Sequence, residues 1–318
     1  MNSPPLVSII TPFFNAEAFF EEAIVSVLAQ TYPHWELWLI DDGSRDRSTQ
    51  IAQTYASQYP EKIFYLQHPD HQNRGKSTSR NLGIQHARGK YLALLDADDC
   101  FLPEKLERQV TILENQPQAG MVYGPTLYWY SWTGEPRDRR RDVQSGVGVQ
   151  PDTLISPPDL AALYLKNAGV VPCTCGLLVQ RTLVEALGGF DESIQHLYED
   201  QVFLFKICLE SPVFVEKGCW DRYRQHPNSS SQIAVKQKEY HPFLPNPVRQ
   251  VFLEWLENYM IQRNINNDQL WAQYHRQRWP YEHPYLSRLV SPVQYAFLRL
   301  RNWLKHHLFS AAISFDNR

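Results

Sequence analysis

Two acidic clusters stand directly after apolar runs: Asp41-Asp42-Gly43-Ser44 after Trp35 to Ile40, and Asp96-Ala97-Asp98-Asp99 after Tyr91 to Leu95. Each run reads as a buried strand. Ligands of an open parallel sheet bind beyond the carboxyl ends of its strands, so both clusters are expected to face one crevice. Four or five carboxylates there repel one another and lose solvation unless a cation joins them. Hard oxygen ligands of this kind select Mg2+ or Mn2+, which carry a phosphate-bearing substrate. Acidic residues after strands also cap helices, and that plainer role is the alternative.

The elements that must position these residues can be traced along the chain. Val7 to Ile10 reads as a first strand stopped by Thr11-Pro12, followed by a helical face led by Phe19, Ala23 and Val27, with Phe20, Ile24 and Leu28 beside it. A second strand spans Glu36 to Ile40, Ser48 is expected to cap the next helix, and Lys62 to Leu66 forms a third strand. The first three strands make a βαβαβ unit, and a polar loop, a helix over Ser77 to Ala87 and a fourth strand over Tyr91 to Leu95 continue it, which means a parallel sheet with helices on its faces. Pro103 opens a further helix carrying Leu106, Val110 and Leu113. Met121 to Trp132 reads as aromatic-rich strand. Arg137 to Asp142 reads as a solvated loop whose arginines pair with its own aspartates, with a flap as the alternative. Residues 240 to 290 show no clear period.

Composition bounds the function. The 318 residues with 43% hydrophobic side chains describe a globular chain, and a net charge of −3 argues against nucleic acid as the main partner. Five cysteines without a paired spacing read as reduced thiols in a cytoplasmic compartment, and no long apolar span suggests a membrane crossing. The absence of a basic, apolar leader after Met1 gives the same expectation.

In order and spacing, Val7-Ser8-Ile9-Ile10-Thr11-Pro12-Phe13-Phe14-Asn15, Asp41-Asp42-Gly43-Ser44, Arg80-Asn81-Leu82-Gly83 and Leu95-Asp96-Ala97-Asp98-Asp99 resemble the family-two inverting glycosyltransferases of the GT-A fold. Gly188-Gly189-Phe190-Asp191-Glu192, Glu199-Asp200 and Tyr223-Arg224-Gln225-His226 extend the resemblance to about residue 230, with Phe14 where the family often has tyrosine. It implies a Rossmann-like, mostly parallel sheet flanked by helices over residues 1–234, with 235–318 as a helical C-terminal extension. It also implies that Asp42 accepts a hydrogen bond from the nucleobase. A carboxylate suits uracil, thymine or guanine, each of which offers a ring N–H, and uridine is the favoured choice. Thr11, Pro12 and Phe14 would form the facing wall. Asp98 would ligate the metal, Asp96 the ribose or a metal-bound water, and His226 would complete the metal shell or touch the diphosphate. Asp99 is expected to be structural. Arg80, with Arg74 or Lys76, is a candidate donor to the diphosphate, or else a structural residue of its loop.

Asp200 is the candidate general base, with Glu199 the weaker one: it begins a helix anchored by Val202, Phe203, Phe205 and Ile207, and the helix-end field is expected to keep it ionised. The expected reaction moves a sugar from a nucleotide diphosphate donor, favoured as a UDP-sugar, to an acceptor hydroxyl with inversion, in polysaccharide or glycolipid synthesis. A nucleotidyltransferase is the rival enzyme, although the first strand lacks a Gly-rich, lysine-bearing loop; a silent nucleotide- or sugar-binding module is the rival of another class. In the tail, Val293, Phe297, Leu300, Leu304 and Leu308 recur at helical spacing beside Arg299, Arg301 and Lys305. That pattern raises peripheral contact with the inner membrane face as an expectation, against packing on the domain itself.

Overall fold

A computed structural model of the chain describes residues 3–166, 171–194, 197–237, 239–240, 245–287 and 289. The first part runs β1 (Val7–Phe13), α1 (Phe20–Leu28), β2 (Trp35–Asp41), α2 (Ser48–Gln58), β3 (Ile63–Gln67), α3 (Lys76–His86) and β4 (Tyr91–Leu94). Next come β5 (Cys100–Phe101), α4 (Lys105–Asn115), β6 (Met121–Tyr123), β7 (Leu127–Trp129), β8 (Val143–Gln144), β9 (Thr153–Ile155) and α5 (Asp159–Leu165). The remainder is β10 (Leu178–Gln180), α6 (Arg181–Ala186), α7 (Glu199–Glu210), β11 (Val213–Val215), β12 (Asp221–Arg224), α8 (Ser230–Lys236), α9 (Pro247–Gln262) and α10 (Asp268–Glu282).

The strands form a large mixed sheet in the order β3-β2-β1-β4-β10-β6-β11-β9 and a smaller one in the order β5-β12-β7-β8. In the large sheet β1, β2, β3 and β4 run parallel, whereas β10 opposes both β4 and β6. Alternation along β1 divides the core between the two faces: Val7, Ile9 and Phe13 meet α1 and α4, and Ile10 meets the layer holding α3, α5 and α7. Phe20, Ile24 and Val27 of α1 are fully or almost fully buried, each worth roughly 1.5–3 kcal/mol relative to exposure. Gly83 lets α3 lie close on the sheet, since a Cβ there would stand 2.7 Å from both Ile10 Cγ2 and Ile40 Cδ1.

Several expectations change. β1 continues through Thr11-Pro12 to Phe13, which pairs with Asp41, because Pro12 lies beyond the last β4 partner, Ile10, and needs no ladder donor on that side. Ser48 does not cap α2; its hydroxyl accepts from the Ala16 amide, while Asp46 receives the Ser48 amide. The 121–132 segment breaks into β6, β7 and a short 3-10 turn, and the strands enter different sheets. In the 137–142 segment, a 3-10 turn, Arg141 pairs with a buried Asp138 at 3.0 Å, whereas Asp142 accepts from Tyr130 and Ser131 and not from the loop's own arginines. The unplaced 240–290 region contains α9 and α10, each opened by an asparagine whose side chain accepts a third-residue amide. Their Phe252, Leu253, Leu256, Met260 and Leu270 join the core cluster of α5 and α7. Among the described residues no helix is long and apolar enough to cross a membrane. The amphipathic tail from Val293 to Leu308 lies outside the described residues.

Candidate active site

The register of β1 creates the site. β4 pairs with it only as far as Ile10 and Leu94, whereas β2 runs on to Asp41 opposite Phe13. The chain after β4 is therefore released to turn across the sheet end, and Asp96, Asp98 and Asp99 converge, with one carboxylate oxygen from each lying within 4.8 Å of the other two. Asp96 accepts from Arg80 Nη2 at 2.7 Å, and Lys76 Nζ stands 4.0 Å away. Burial would raise the Asp96 carboxyl, but Arg80 and Lys76 outweigh it and hold the group down at about 2. Asp98 Oδ2 lies 3.0 Å from His226 Nε2.

Asp99, expected to be structural, lies in the cluster as well. It is 1% exposed, one oxygen accepts from the Arg224 amide at 2.9 Å, and the other has no hydrogen-bond partner among the described residues. Burial, then the charges of Asp98 and Asp96, push its carboxyl well above the ordinary range. A divalent cation relieves all three defects together, so the residues fit the ion. The signal for Asp99 was its adjacency to the Asp-x-Asp pair.

The small sheet explains why His226 arrives there. β12 pairs with β5 on one side and β7 on the other, so the strand leading to His226 lies beside the strand leaving Asp99. Arg224 ties the two together: Nε donates to the Asp98 carbonyl at 2.7 Å and Nη2 to Glu22 at 2.6 Å, with Phe19, Trp129 and Trp132 rings around the guanidinium.

At the β2 end the two aspartates part company. Asp41 is fully buried and accepts from the Ser44 amide and the Thr49 and Tyr65 hydroxyls, which removes it from the crevice. Asp42 accepts the Arg74 amide at 2.7 Å and the Gly75 amide at 3.0 Å, and so holds the loop before α3. Its two oxygens have four lone-pair sites, so acceptor capacity remains. Beside it opens a cavity of about 610 Å³ lined by Phe14, Asn15, Gly43, Arg45, His71 and Asn73. Gly43 sits at φ +86°, and a Cβ there would come within 2.8 Å of the Asn73 amide nitrogen. Phe14 is 49% exposed and offers a ring face; Thr11 and Pro12 are buried.

Across the sheet end, Tyr198 turns through φ 70° into α7, and the first two helical residues are Glu199 and Asp200. Glu199 points to Arg80 Nη1 at 3.4 Å. Asp200 accepts its neighbour's amide, from Gln201. Burial, then Glu199, push the Asp200 carboxyl up to about 6, against the pull of Arg80, which leaves it largely ionised at neutral pH. Arg80 is 1% exposed and its guanidinium is engaged by both Asp96 and Glu199, whereas Lys76 beside Asp96 is 44% exposed at its side chain.

A mixed sheet whose parallel half ends in a carboxylate cluster fits the GT-A glycosyltransferase fold. The chain belongs to glycosyl transferase family 2, whose family model matches residues 8–188. It is 31% identical over 238 residues to an uncharacterized glycosyltransferase of Rickettsia prowazekii (strain Madrid E), covering 74% of this chain and 69% of that protein. It is 37% identical over 140 residues to TuaG of Bacillus subtilis (strain 168), a candidate teichuronic acid biosynthesis glycosyltransferase, covering 43% of this chain and 53% of TuaG. Among solved structures, S. aureus TarS 1–349 in complex with UDP-GlcNAc superposes with a TM-score of 0.64 at 17% identity, covering 89% of this chain and 75% of that one, a likeness of fold.

Proposed function

We propose that this glycosyltransferase moves a sugar from a UDP-sugar to an acceptor hydroxyl with inversion, and that it requires Mn2+ or Mg2+. The observation that carries the reading is the Asp96, Asp98, Asp99 cluster with its unsatisfied, buried Asp99 oxygen, set at the strand end beside the Glu199-Asp200 helix start. Asp98, Asp99 and His226 would hold the ion, with Asp96 reaching the ribose or a metal-bound water. Bound there, a divalent cation supplies charge neutralisation for the departing diphosphate. Lys76 adds a second positive charge on the same side. Asp42 accepts the ring N–H of the base, and Phe14 covers its face, with Thr11 and Pro12 behind. Asp200 takes the acceptor hydroxyl proton as that oxygen bonds to the anomeric carbon and the bond from this carbon to the diphosphate oxygen breaks, releasing UDP. A single in-line displacement of this kind inverts the centre.

TuaG's name and the UDP-GlcNAc in the TarS structure support polysaccharide or glycolipid assembly and a uridine donor. Residues 1–234 are proposed to carry the donor chemistry and 235–318 to shape the acceptor side. Five free cysteines suit a reducing, cytoplasmic setting. Incubation with individual UDP-sugars and Mn2+ is expected to release UDP for one of them in the presence of acceptor; no release with any UDP-sugar, alongside release from another nucleotide sugar, would reassign the base.

Contact with an anionic membrane surface is the proposed role of the tail. Tyr285, Leu286 and Leu289 are 82%, 52% and 76% exposed, and from Pro284 onward the sequence has five basic residues against one acidic. Full-length protein is expected to co-sediment with vesicles containing anionic lipid, less so at high salt. A form ending at residue 286 is expected to stay in the supernatant, and equal partitioning of the two would remove the idea.

A further inference from the structure

Arg80 occupies an unusual position for a residue of its type. Its side chain is 1% exposed, yet it leaves α3 to lie between a carboxylate that follows β4 and one that opens α7: Nη2 is 2.7 Å from Asp96 Oδ1 and Nη1 is 3.4 Å from Glu199 Oε1. The guanidinium also stacks on Phe190, with its carbon 4.9 Å from the ring centroid. Phe190 is itself fastened by the adjacent residue of α3, because Asn81 Oδ1 accepts the Phe190 amide and Asn81 Nδ2 donates to the Phe190 carbonyl, both at 2.9 Å. The planar fork thus spans donor and acceptor sides of the crevice, and its orientation is set by a ring that the same helix holds.

We infer that Arg80 is a positioning residue that acts through Glu199 to fix the start of α7, and with it Asp200, against the donor carboxylates. The inference rests on the reading of Asp200 as the base. A lysine at this position keeps the charge but is a point donor on a flexible stem, and it cannot hold two carboxylates in one plane. Without the bridge, the buried helix start of Glu199 and Asp200 keeps only the half-exposed Lys76 as a nearby counter-charge and loses its tether to Asp96. Direct service to the diphosphate makes a different prediction, since substitution would then weaken donor binding first.

The test is a double-mutant cycle of Arg80→Lys and Glu199→Gln on the full chain with UDP-sugar and Mn2+. Arg80→Lys alone is expected to lower kcat by about 10- to 100-fold while the UDP dissociation constant moves less than about threefold. In the Glu199→Gln background the same change is expected to cost less than about threefold, because the contact it acts through is gone. Additive losses, or a loss of UDP affinity as large as the loss of kcat, would overturn the inference. If Arg80→Lys does not fold, Phe190→Leu loosens the guanidinium without altering any charge, and the same non-additivity with Glu199→Gln is required of it. The underlying reading fails separately: normal turnover of Asp200→Asn removes the base, whatever the cycle returns.

Discussion

Replacing Asp200 with Asn is expected to lower turnover by roughly 10²- to 10⁴-fold, about 3 to 5 kcal/mol of transition-state stabilisation, while UDP affinity stays near that of the parent protein. The amide keeps the shape and can still accept the Gln201 amide, but it cannot take the acceptor proton. Glu199→Gln should cost less, because Glu199 faces Arg80 and acts at one remove. Steady-state rates of the two variants decide between them: a near-normal rate for Asp200→Asn beside a collapse for Glu199→Gln would transfer the base to Glu199. The raised carboxyl has two further consequences. In kcat/KM against pH the acid limb should bend near the value of about 6, since below it the base carries a proton. Stability moves the opposite way. A carboxyl raised from 3.8 to about 6 holds a proton in the folded state that the unfolded chain has released, so stability falls as pH rises through that window and remains reduced above it. Asp200→Asn should therefore gain on the order of 1–3 kcal/mol at neutral pH, read as a higher denaturant midpoint. A less stable, inactive variant would instead mean that the substitution damages the fold.

Removing the cation, or one of its carboxylates, is the second large effect. Chelation should abolish UDP release, and Mn2+ should restore it. Asp98→Asn removes one charge and one oxygen beside His226 and should weaken UDP binding in Mn2+ by at least about 10- to 100-fold, the loss that even outer partners of a metal site incur. The response of UDP affinity to added Mn2+ should disappear with it. Calorimetric titration of UDP with and without the ion measures both, and unchanged affinity with an unchanged metal response would show that Asp98 is not a ligand. Asp99→Asn should behave similarly, because its second oxygen has no other partner among the described residues.

The parallel β1 to β4 unit was legible because each strand is a short apolar run ended by a polar turn, and each helix shows a 3.6-residue face. α9 and α10 were not: exposed Val251 and Ile261 blur the buried stripe of α9, and α10 buries only Leu270 and Tyr274. Their start signals, Asn246-Pro247 and Asn267-Asp268, are local and easily passed over in a proline-rich stretch. The order of motifs also put the Asp96 and Asp98 pair, Glu199-Asp200 and His226 on successive elements of the chain.

What the residues determined by themselves was chemistry: which carboxylates follow strands, that a cation suits them, and that an acidic pair opens a helix. Local types and spacings suffice for that, since they set backbone propensity and donor count. The tertiary structure alone decided their roles relative to one another. It withdrew Asp41 into a turn, drew Asp99 into the cluster through pairing of β5 with β12, set Arg80 between Asp96 and Glu199, and raised the Asp200 carboxyl. Burial and the distances between charges from remote parts of the chain fix those outcomes, and neither quantity exists until the chain has folded.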